Sequence, residues 1–196
     1  MTTNHPSARV LKWLNGDSDV ASYHLNPLNL AWSDEGPEHD LQRFAVVATR
    51  LESDMEYWSE LIRADNWRYT LIGCVCLLLR RPSGKFEDLL FRLERGNMVS
   101  PQICMTMGIA YPRKAIDALN SFLDRCEKKD FKYRPIAAAH SVLEKLGVSR
   151  ADSPDLDDLD RRHEFLAIDQ VQLAKRIIAV QWDFWVAHSG DPIYAR

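Results

Sequence analysis

The sequence predicts an all-α fold: a single irregular helical bundle, or a short α-solenoid, of about seven helices with an irregular N-terminal arm. Three observations carry that expectation. Apolar residues recur at steps of three and four through most of the chain beyond residue 40. The periodic stretches are separated by short breaks holding proline or glycine, at Pro82-Ser83-Gly84, Gly96, Tyr111-Pro112 and Gly147. No two segments have the matched alternation that strand pairing would need. At 196 residues the chain has the length of one domain, or at most two small ones. The expected division is residues 1–40 as an arm packed on the body and residues 41–196 as one all-α domain. No internal repeat is visible, which argues against a strict repeat array.

In chain order, Ala8 to Leu14 suits two turns of helix stopped by Asn15-Gly16. Ala21, Tyr23 and Leu25 alternate with polar residues, as in a short extended segment, and Asn26-Pro27 ends it. Leu41, Phe44, Ala48, Leu51, Met55, Trp58 and Ile62 then mark one face of a helix about six turns long. Glu38 and Asp40 lie near its positive end, and Arg50 and Asp54 have the spacing of a surface pair. A second helix runs from about Asn66 to Arg80, capped by Asp65 or Asn66. Leu71 to Leu79 leave it apolar nearly all round, so it is expected to be buried. Phe86 to Arg95 forms a short helix before Gly96. Ser100 as cap and Pro101 open the next, and the one after Tyr111-Pro112 turns Ile116, Leu119, Phe122, Leu123 and Cys126 inward. Pro135 to Leu146 and about Arg161 to His188 complete the set. The last helix carries two apolar faces, one with Val171, Ala174, Ile178, Trp182 and Trp185, the other with Leu173, Ile177, Val180 and Phe184. Two such faces imply neighbours on both sides and a central position.

Charge is unevenly spread. Residues 1–65 carry 5 basic and 11 acidic side chains, whereas residues 66–135 carry 13 and 7. The basic middle admits a nucleic-acid face using Lys114, Lys128, Lys129, Lys132 and Arg134. Mutual pairing of the segments in the fold is the simpler expectation, because no cluster of five or more basic residues occurs. The start, Met-Thr-Thr-Asn-His-Pro, has no basic stretch followed by an apolar one. The longest apolar run covers nine residues, far short of the about 20 that a membrane helix needs. A cytoplasmic protein with no membrane contact is expected.

Chemistry-bearing patterns are sparse. The six histidines include no H-x-x-x-H pair, and no Glu-x-x-His motif is present, so no metal site is expected. Pro82-Ser83-Gly84-Lys85 resembles the end of a phosphate loop but lacks the first glycine and a preceding strand. No serine has nucleophile-elbow context. Cys74, Cys76, Cys104 and Cys126 fall in apolar stretches and read as small core residues. Trp58, Trp67, Trp182 and Trp185 occupy core-facing positions, while Trp13 and Trp32 lie in the arm. No catalytic residue and no cofactor are expected, although a helical active site of unfamiliar design stays as an alternative.

The most distinctive stretch is acidic. Asp152, Asp155, Asp157, Asp158 and Asp160 fall within nine residues that hold no basic side chain. A calcium loop starting at Asp155 fails, because its sixth position is Asp160 and its twelfth is Leu166. These five aspartates read either as a partner-binding patch or as a linker whose last members cap the following helix.

Residues Asn66 to Ala115 carry a resemblance. Trp67-Arg68 before an apolar helix, then Asn97-Met98-Val99-Ser100-Pro101-Gln102, then Tyr111-Pro112, is similar to uncharacterised all-helical bacterial proteins, some associated with immunity in polymorphic toxin systems. The similar stretch is about a quarter of the chain and its motifs are caps, a turn and core positions. The resemblance implies a non-enzymatic binding protein whose partner is a cognate toxin.

Overall fold

In the computed structural model, which describes residues 5–16, 34–96, 98–126, 133–150 and 166–189, the periodicity is realised as nine α-helices among the described residues. These are α1 (Ala8–Gly16), α2 (Pro37–Leu51), α3 (Met55–Arg63), α4 (Trp67–Arg80), α5 (Phe86–Glu94), α6 (Ser100–Ala110), α7 (Pro112–Cys126), α8 (Tyr133–Lys145) and α9 (Leu166–His188). No strand occurs among the described residues. The all-α expectation holds. From the arm, α1 sends Val10 and Leu14 into the core, and the Ser7 backbone N–H donates to Glu60 Oε2 at 2.7 Å, tying its start to α3.

The single helix expected over residues 41–62 is two helices. The first begins earlier, at Pro37. It stops at Leu51, and Asp54 takes an extended backbone (φ −152°, ψ 118°) and caps α3 by accepting from the Glu56 N–H. Ser53 Oγ donates back to the Arg50 carbonyl at 2.7 Å. Short polar side chains that bond to nearby backbone compete with helix, and two in succession break it. The break was hidden because Leu51 and Met55 keep the four-residue step across it. Asp54 is therefore a cap rather than the expected surface partner of Arg50, and Met55 is exposed rather than inward.

Asn66 caps α4 by accepting from the Arg68 N–H at 3.1 Å, as expected, and Thr70 to Leu79 are all buried. Arg81 ends the helix in the left-handed region (φ 48°). Its Nε donates to Ser189 Oγ at 2.8 Å, which donates in turn to the Leu78 carbonyl at 2.7 Å. The far end of α9 is thereby fastened to the end of α4. In α6, Val99 is the cap residue and Ser100 is a buried first-turn residue, which corrects the expected cap at Ser100. α8 starts two residues before Pro135. It ends as expected at Gly147 (φ 76°), where the Val148 N–H donates to the Leu143 carbonyl at 2.9 Å and the Gly147 N–H to Glu144. That bonding pattern requires a left-handed residue, which glycine supplies without strain.

The centre of the bundle is α6, not α9. Ser100 to Ile109 are all buried, and α4, α5, α7, α8 and α9 pack around them. Close approach there depends on Gly108, since a Cβ at that position would lie 2.5 Å from Val142 Cγ1 and 3.0 Å from Trp182 Cη2. α9 lies against α8 and α6 through Val171, Ala174, Ile178, Trp182 and Trp185. Its second apolar face looks outward, with Leu173 and Val180 exposed. All four cysteines are buried and free.

Candidate functional site

Most of the basic residues of the middle segment are committed to the fold. Arg80 lies 3.9 Å from Glu52, Arg125 pairs with Glu94, and Arg92 Nη2 donates to the Asp65 carbonyl at 3.1 Å. Of the five residues proposed for phosphate contacts, Arg134 donates to the Met98 carbonyl at 2.7 Å. Lys114 lies over the Phe86 ring, 5.6 Å from its centroid. Lys128, Lys129 and Lys132 lie outside the described residues. The acidic candidates Asp152, Asp155, Asp157, Asp158 and Asp160 also lie outside them.

Two polar constellations emerge that sequence reasoning missed. One joins α3 to α5 beneath the surface. Ser59 Oγ donates to Asp88 Oδ2 at 2.7 Å, Arg63 Nε donates to Asp88 Oδ1 at 2.6 Å, and Lys85 Nζ donates to Ser59 Oγ at 2.9 Å. Asp88 is the hub, its side chain only 5% exposed. The residue types suggest a serine–lysine pair, but the bonds run the wrong way for one. A nucleophilic serine must give its proton to a neutral base. Here Ser59 receives a bond from the ammonium and gives its own proton to a carboxylate held by two cations. With both cations held on that one carboxylate, the cluster is a clamp between helices. Ser59 and Arg63 are one turn apart on α3, and Lys85 and Asp88 one turn apart at the start of α5. Those spacings are legible, but the pairing across 25 residues is not.

The second constellation is a cleft of about 960 Å³ between α8, α9 and the turn after Gly147. Leu143, Val148 and Ile178 contribute apolar lining, and His140, Glu144, Lys145, Arg150 and Lys175 contribute the polar lining. Arg150 is fixed across the turn, with Nη2 donating to Asp124 Oδ1 at 2.7 Å and Nη1 donating to the Asn120 carbonyl at 3.2 Å. Lys145 Nζ lies 3.7 Å from Asp183, across the α8–α9 seam. Burial lowers the His140 pKa, and the positive charges of Arg150 and Lys175 lower it further. The imidazole is thus held neutral under a cationic rim. Arg150 and Lys145 are already paired with Asp124 and Asp183, so it is chiefly the exposed Lys175 that favours an anionic group of a visitor. The apolar lining can take an aliphatic or aromatic body. Sequence alone offered little sign of this cleft, because its cations come from three separate elements.

Among the described residues, no group of three or more His, Cys, Asp or Glu side chains is placed to hold a metal ion. No helix among them is long and apolar enough to cross a membrane. The fold and the cleft together define an all-α bundle with a charged recess between its last two helices. Comparison with protein-family models, curated proteins and solved structures found no match.

Proposed function

We propose that this chain is a non-enzymatic binding protein, and most specifically a bacterial immunity protein that neutralises a cognate toxin by direct contact. The observation that supports this reading is the α8–α9 cleft, which combines an apolar lining with charged groups of both signs. Recesses of that composition suit the side chains of a protein partner. The acidic stretch from Asp152 to Asp160 begins two residues after Arg150, a cleft residue. In this proposal it meets a basic surface of the toxin and speeds encounter, while the cleft receives acidic side chains from the same partner.

The test is protection. Co-expression of this chain with a toxin encoded beside it should rescue cell growth, and the two proteins should co-purify. Replacing Asp155, Asp157 and Asp158 together with Asn should slow association and flatten its salt dependence, leaving thermal stability within about 1 kcal/mol of the parent. Failure to protect, together with failure to co-purify, overturns the proposal.

A further inference from the structure

We propose that the outward face of α9 seats a second copy of this chain, forming an antiparallel two-fold dimer. This goes beyond the toxin-binding reading and uses a different face of the helix from the one that lines the cleft. Leu173, Ile177, Val180, Phe184 and Ala187 follow one another at steps of four, three, four and three. That is the seam spacing of a two-helix coiled coil. Leu173 is 41% exposed and Val180 54% exposed, while Ile177 and Phe184 are half-buried at the inner edge of the stripe and Ala187 is exposed. A helix with this seam and, among the described residues, no second helix laid along it presents apolar surface that monomeric proteins normally keep small.

Charge complementarity identifies the occupant. When two such helices run antiparallel with their seams meshed, Leu173 of one copy meets Phe184 of the other, and Ile177 meets Val180. The flanking positions on the open side of the seam are Arg176 and Asp183, both exposed. In the same register Arg176 of one copy stands opposite Asp183 of the other, and the two-fold axis repeats the pair. A parallel two-fold arrangement would instead put the two Arg176 side chains on opposite flanks of the seam, and the Arg176–Asp183 pair would not form. One register satisfies both the apolar layers and the charges, which is the mark of a self-complementary surface. Asp183 is paired with Lys145 of its own chain at 3.7 Å, and with its side chain 85% exposed it has room to accept a second cation. A contact of about four apolar layers falls at the small end of specific interfaces, so the dimer should be weak and concentration-dependent.

The test is sedimentation velocity of the full chain from low micromolar to submillimolar concentration. The parent protein should shift from monomer toward dimer. Arg176→Asp and Asp183→Arg should each weaken association by roughly tenfold or more, because each single reversal turns two attractive pairs into repulsive ones. The double variant Arg176→Asp/Asp183→Arg should recover most of the parent affinity. Lys145→Met, which removes the competing cation beside Asp183, should not weaken association. All these positions are at the surface, and circular dichroism should report a parent-like fold for each. A parent that stays monomeric at every concentration overturns the proposal. So does a dimer indifferent to the single reversals, or a double variant no better than either single one.

Discussion

Gly108 is the most sensitive backbone position in the bundle, and Gly108→Ala tests how tightly α6, α8 and α9 cross. The added Cβ would sit 2.5 Å from Val142 Cγ1, 3.0 Å from Trp182 Cη2 and 3.1 Å from Trp182 Cζ3. Carbon atoms are comfortable at about 3.5–4.0 Å, so the Val142 contact is short by about 1 Å. Neither neighbour has an easy retreat. Val142 is fully buried, and a valine on a helix has one strongly preferred rotamer. Trp182 is a large ring set in the same seam. Overpacking of this kind costs about 1–3 kcal/mol, and two stiff neighbours put it near the upper end. The gain in helix propensity on replacing glycine by alanine offsets about 1 kcal/mol. The net loss is about 2 kcal/mol, which for a chain of this length lowers Tm by about 4–8 °C. Thermal unfolding followed by circular dichroism measures it. Gly73→Ala is the control: its Cβ would meet only Ile62 Cγ1 closely, at 3.0 Å, with the next atoms at 3.5 Å. There the propensity gain and the mild crowding should cancel to within about 0.5 kcal/mol. Adding Val142→Ala to Gly108→Ala should show a favourable coupling of about 1 kcal/mol, because the second change removes the clashing methyl. A Gly108→Ala protein that melts at or above the parent temperature would refute the close-crossing geometry.

Three further outcomes are expected. Asp88→Ala should destabilise by about 2–3 kcal/mol in urea denaturation, because it strands Lys85 beneath the surface; this is less than a fully buried pair would cost, since Arg63 is 42% exposed. The depressed pKa of His140 means that the unfolded chain binds the proton more tightly. Stability should therefore fall as pH drops below about 6.5, and His140→Gln should remove that part of the slope while leaving stability above pH 7 little altered. Burial pushes the Cys74 thiol up to about 12 and raises Cys76 and Cys104 as well. A disulfide reagent at pH 8 should thus label the native protein slowly, with all four cysteines reacting once denaturant is added.

Helix content, burial class and several boundaries were legible in the sequence because they depend on nearest neighbours along the chain. The apolar ring of Leu71 to Leu79 announced a buried helix, Asn66 announced its cap, and Gly147 announced the end of α8. Each is decided by side-chain chemistry within one or two turns. The break at Ser53-Asp54 was also written locally, in two residues that bond to backbone, but an uninterrupted apolar step concealed it. Position in the bundle is another matter. From Ser100 to Ala110 the chain holds no charged residue, and that was the available signal for a central α6. The two apolar faces of α9 pointed to the wrong helix, because periodicity shows that a face is apolar and not whether anything covers it. The clamp at Asp88 and the cleft at His140 had no signal of comparable strength. The clamp spans the 25 residues between Arg63 and Asp88, and the packing of α3 against α5 decides it. The cleft brings Lys175 of α9 to His140 and Glu144 of α8, and there the crossing of α8 and α9 over α6, permitted by the missing side chain at Gly108, decides which polar groups meet.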